Sequence, residues 1–256
     1  MAPAPDPASG PDRASGPERA SAPERASAPE PALVADEQMR AARVVLRPIA
    51  GPLPLGFLGL AAATVTVAGQ ELAWIGHADA VHIGLITLIV APSLQLISCL
   101  FGFLGRDAVA ATGMGVLAAT WAGVGAVILT SRPGATSHAL GTLLFVAGAG
   151  VLISAGTAAA FKLVPAIVMA LAGLRFIVTG IHEFVPGSGW RLAAGYCGLV
   201  LGFAALYGAA SLEIEGMRRS PLLPTLRRGR GRQALNGELS AQVSGVAAEP
   251  GVREQL

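Results

Sequence analysis

Five stretches of the chain contain no Asp, Glu, Lys or Arg: residues 48–70, 80–105, 108–131, 133–161 and 192–212. A helix rises 1.5 Å per residue, and a hydrocarbon layer ~30 Å thick needs about 20 apolar residues to cross it. Each stretch is long enough. A sixth, 163–182, has the right length and is interrupted only by Arg175. Strands would alternate between lipid and a polar lumen, and no such alternation is present. These runs predict an all-α membrane protein, a six-transmembrane-helix bundle.

The charges confirm where the bundle ends. Residues 1–47 carry 13, residues 214–256 carry 11, and everything between carries only 10. The division is a 1–47 tail, a 48–213 membrane domain and a 214–256 arginine-rich tail. With 53% hydrophobic and 13% charged residues, a soluble enzyme, a disulfide scaffold and a nucleic-acid module are poor fits. Cys99 and Cys197 lie inside apolar runs and imply no disulfide framework. The N-terminal tail repeats ASGPDR, ASGPER, ASAPER and ASAPEP from Ala8, with no apolar face to bury, so both polar tails are expected to be disordered. No apolar signal-peptide core precedes the first span.

An even number of spans puts both tails on one side. That side receives Arg40, Arg43, Arg47, Arg106, Lys162 and the arginines of 218–232, against Arg132 and Arg191 opposite. The positive-inside rule makes both termini cytoplasmic. The spans are rich in Gly and Ala, including Gly198 and Gly202 at GxxxG spacing, as close helix packing in lipid requires.

No catalytic motif, cofactor fingerprint or metal-ligand spacing is present, so neither an enzyme nor a cofactor is expected. Four local features remain. Gly51-Pro52-Leu53-Pro54-Leu55-Gly56 opens span one. Its prolines either hold an extended segment with free carbonyls or make a rigid helix start. In span two, Pro92 bends the helix and Gln95 supplies an amide, either to a solute or to a neighbouring helix. Arg175 is a charge within a span, which by default marks function. At 100° per residue it shares a stripe with Leu171, Val178 and His182, the last at the outer mouth. The alternative is a structural arginine that caps carbonyls or pairs with Glu71 or Glu183.

Span one, read with GPLPLGFLGL at its start, resembles the acetate uptake (succinate–acetate permease) family, whose signature is Asn-Pro-Ala-Pro-Leu-Gly. Gln95, the turn Gly105-Arg106-Asp107, Thr112 and Trp121 resemble its second and third spans. Gly156-Thr157 and Tyr207 with Glu213 resemble its fourth and sixth. The similarity covers roughly residues 48–226 and neither tail.

The resemblance implies a multi-pass protein of the bacterial plasma (inner) membrane and a homo-oligomer, a hexamer with a pore in each subunit. It implies uptake of acetate or related short carboxylates with protons, and no nucleic-acid partner. The family's Phe, Tyr and Leu constriction carries over to Leu60, Leu117 and Leu171, so two aromatic rings are leucines here. Leu171 also falls on the Arg175 stripe. Gly51 replaces the signature Asn. Gly51, Pro52, Pro54, Gly56, Gln95 and Arg175 are the expected substrate contacts. The alternatives are a pore for a neutral solute such as urea or an amide, and a non-transporting anchor that binds lipid or a partner through residues 218–232.

Overall fold

A computed structural model describes residues 50–218 and 223–229; the 1–47 tail and most of the 214–256 tail lie outside the described residues. Six helices are long and apolar enough to cross a membrane. They are α1 (Leu53–Glu71), α2 (Ala80–Leu104), α3 (Ala108–Thr130), α4 (His138–Ala159), α5 (Leu163–Phe184) and α6 (Ser188–Arg218). A short 3₁₀ turn, His77–Asp79, precedes α2. The sixth helix continues past the boundary expected at residue 213.

Each helix packs on its chain neighbours, and α6 closes back on α1. The glycines show that every neighbouring pair is antiparallel. On the α1/α6 seam, a Cβ at Gly195 would meet Leu72, one at Gly202 Val65, and one at Gly208 Phe57. On the α2/α3 seam, Gly84 faces Leu129 and Gly102 faces Ala111; on α4/α5, Gly141 faces Phe184 and Gly148 faces Gly173. The result is an up-and-down ring of six. One end carries the described chain start, the end of α6 and the loops at 105–107 and 160–162. It is called the terminal end, and the opposite end the far end.

Local chemistry sets the helix ends. Pro52 caps α1 with φ −82° and ψ −12°, and Pro54 sits in the first turn, where a missing N–H costs nothing. Of the two alternatives, the rigid helix start is the one found, and the extended segment with free carbonyls is not. The Pro52 carbonyl accepts from Ser98 Oγ at 2.8 Å. Span two stays helical across Pro92. Between α2 and α3, Arg106 turns the chain with φ +61°, and Asp107 N returns to Gly102 O at 2.9 Å. Asp107 then caps α3 through Ala110 N, at 3.2 Å, and pairs with Lys162 from the 160–162 loop.

Residues 223–229 lie against the terminal end. Arg228 N donates to Phe161 O at 3.0 Å, and Tyr207 Oη donates to Pro224 O, also at 3.0 Å. Arg227 forks onto Glu215, with Nε and Nη2 at 2.7 and 2.9 Å from its two oxygens. This part of the arginine-rich tail is thus tied to the bundle. Side chains such as Ile153 and Phe203 stand on the outer surface, 70% and 72% exposed, as lipid-facing residues must.

Candidate functional site

Two cavities open at opposite ends of the ring. The far cavity, about 630 Å³, is lined by side chains that include Val67, Glu71, Val124, Leu144, Thr179 and His182. The terminal cavity, about 130 Å³, reaches Leu53, Asp107, Ala110, Ser154, Lys162 and Met169. The two share no lining residue.

Apolar side chains fill the space between them. In α1, Leu53 lines one cavity and Val67 the other, and Leu60 is midway. In α3, Ala110 and Val124 play those parts, and Leu117 is midway. Both leucines are fully buried in one cluster with Phe57, Met114, Trp121 and Phe176. At 1.5 Å per residue the layer is about 21 Å deep along α1 and α3. Leu171 of α5 is half-buried and packs against the same cluster, between Met169 at the terminal cavity and Thr179 at the far one.

The far cavity takes its polar lining from α1, α5, α6 and the connections between helices. Arg175 is 1% exposed. Its Nη2 donates to Glu71 Oε2 and its Nη1 to Thr179 Oγ1, each at 2.7 Å. Room for the guanidinium comes from Gly198 of α6, where a Cβ would sit 3.0 Å from Arg175 Nε. Of the two acidic partners open in the sequence, Glu71 is the one found. Glu183 instead accepts from Ser137 N at 2.6 Å, which fixes the start of α4. Glu71 and Thr179 line the cavity, and Arg175 stands behind them.

The other expected contacts are scattered. Gly51 is exposed, with open space where a side chain would point. Pro52 and Pro54 form the α1 start, and Gly56 packs α1 on Met114 and Ser98. Gln95 is fully buried, and neither of its amide atoms has a partner among the described residues. An unpaired buried amide is costly, so this is a place where a polar guest would be favoured. His182 lines the far cavity, half-buried. No group of three or more metal-ligating side chains occurs among the described residues.

Sequence reading missed the Asp107–Lys162 pair beside the terminal cavity and the Glu215–Arg227 pair beneath it. Asp107 and Lys162 were legible as neighbours only in the sense that both begin spans at the same end. Nothing in the spacing joined Glu215 to Arg227.

No protein-family model matches the chain, and no curated protein matches it. Among solved structures, that of the bacterial acetate channel SatP matches with a TM-score of 0.62 at 20% identity. The match covers 69% of this chain and 98% of that one. At this identity the likeness establishes a common fold.

Proposed function

We propose that this chain passes acetate and related short-chain carboxylates across the bacterial plasma membrane, together with protons or as the protonated acid. Its fold is that of a protein described as an acetate channel, over nearly the whole of that protein. Fold alone does not carry chemistry. The observation that carries the reading is the apolar layer centred on Leu60 and Leu117, set between two cavities that each present charged side chains. A bare anion loses far more than a neutral acid on entering such a layer, so the layer favours net passage of the acid. Gln95 offers a polar contact within it. Arg132 and Arg191 at the far cavity draw anions to that end, where Arg175 stands behind the lining.

The arginine distribution puts the terminal end, with both tails, in the cytoplasm and the far cavity outside. The homo-oligomer, a hexamer by resemblance, belongs to the same proposal. In this reading Leu171 completes the constriction with Leu60 and Leu117, and His182 stands at the outer mouth.

The test is uptake of labelled acetate into proteoliposomes with and without a pH gradient. Saturable uptake inhibited by acetate analogues is expected. Absence of uptake for every short carboxylate under both conditions removes the reading. Uptake of urea or small amides, insensitive to acetate analogues, replaces it with a neutral-solute pore.

A further inference from the structure

An anion entering the far cavity meets Glu71 before it meets Arg175. The Glu71 side chain is 11% exposed, that of Arg175 only 2%. While Glu71 is ionised it repels the anion and holds the Nη2 donor. With a proton on Glu71, the guanidinium loses its counter-ion, and a second carboxylate matches the same planar fork. Arg175 also keeps its Nε–H without a partner among the described residues. The other charged and titratable groups around this cavity are His182 and Glu183 from α5, Arg191 from α6, and His77 and Arg132 from the connections between helices. Glu183 is engaged by Ser137 N.

We infer that Glu71 and Arg175 form a protonation station in the wall of the far cavity: Arg175 receives the substrate carboxylate, and Glu71 hands it a proton. This rests on the carboxylate reading above. Glu71 Oε2 first takes a proton from hydronium in the cavity, which leaves as water. The O–H bond on Glu71 then breaks as an O–H bond forms on the substrate carboxylate. Glu71 becomes a carboxylate again and re-forms its pair with Arg175, which releases the substrate. The neutral acid enters the apolar layer, and one proton crosses with each acid. The same ion pair that holds α1 to α5 thus acts as the resting state of the station. Arg175 lies outside every motif through which the chain resembles a known family.

Two measurements test this. The first is acetate uptake into proteoliposomes under an inward proton gradient, with protein-free vesicles subtracted. Wild-type uptake should rise with the gradient. Glu71→Gln keeps the side-chain shape but has no acidic proton, and its gradient stimulation should vanish. The double variant Glu71→Gln/Arg175→Gln leaves no unpaired charge and should lose the stimulation as well. Full stimulation in either folded variant overturns the station while leaving carboxylate passage intact. A wild-type protein that takes up no acetate strikes the underlying reading instead. The second measurement needs no variant. A hydrophobic carbodiimide reacts with protonated carboxyl groups, and mass spectrometry locates the adduct. Glu71 of the wild-type chain should be labelled increasingly as the pH falls, and acetate should slow the labelling. A purely structural ion pair stays ionised, and absence of labelling at Glu71 across the pH range overturns the inference.

Discussion

Replacing Leu117 by Ala tests whether the apolar layer is the selective element. Leu117 is fully buried and midway between the two cavities along α3. Buried Leu→Ala changes cost about 2–5 kcal/mol, part of it transfer from water and part the void left behind. In a bilayer the transfer part is small, because lipid tails are as apolar as the core, so the loss should sit near the low end, about 2 kcal/mol. That energy is the packing a larger acid must displace to pass. If Leu117 lies on the path, the variant removes the same cost for the acid, and a factor of ten per 1.36 kcal/mol makes this roughly 30-fold. The assay compares butyrate with acetate uptake in proteoliposomes, alongside thermal unfolding in detergent. The expected result is a lower Tm and a butyrate-to-acetate ratio raised by roughly one to one and a half orders of magnitude. A lowered Tm with an unchanged ratio would refute the argument, since Leu117 would then pack the core without facing the solute.

Gly202→Ala places a Cβ 2.4 Å from Val65 Cγ2 and should destabilise the α1/α6 seam by about 1–3 kcal/mol. Adding Val65→Ala should restore most of the lost Tm, and no recovery would mean the clash is not the cause. Ala73 has φ +60° just beyond α1, so Ala73→Gly should raise stability by up to ~1 kcal/mol, read as a higher Tm. A lower Tm would show that the strain is not relieved there. Glu215 is 5% exposed and held by Arg227, so Arg227→Glu should free residues 223–229, read as faster tryptic cleavage at Arg228. The exchange Glu215→Arg/Arg227→Glu should slow that cleavage again, and equal rates in both variants would show that the pair does not hold the segment.

Five of the six spans were legible because an uncharged run longer than 20 residues has few other uses, and the sixth by its length despite Arg175. Their packing was partly legible. Gly198 and Gly202 read as a generic small-residue motif, yet Gly202 admits Val65 and Gly198 admits the Arg175 guanidinium. The Pro52/Pro54 alternatives were decided by geometry, since Pro fits the first helical turn and the Pro52 carbonyl finds Ser98 from another span. A helical wheel grouped Leu171 with Arg175, but a stripe 60° wide spans both a core and a boundary position. One of the two is buried and the other half-buried. Arg175 was visible as a charge out of place, whereas its choice of Glu71 over Glu183 depends on how α1, α5 and α6 meet. No spacing along the chain encodes that. The arginines after residue 218 read as topology, which hid the engagement of Arg227 with Glu215.

The docked stretch at 223–229 has a mechanical consequence. Its hydrogen bonds join Tyr207 and Glu215 of the last helix to Phe161, whose side chain lines the smaller cavity. A pull applied at Gly229 is therefore felt at the rim of that opening. Such a pull is shared between the α4–α5 connection, through Arg228, and the last helix, through Arg227.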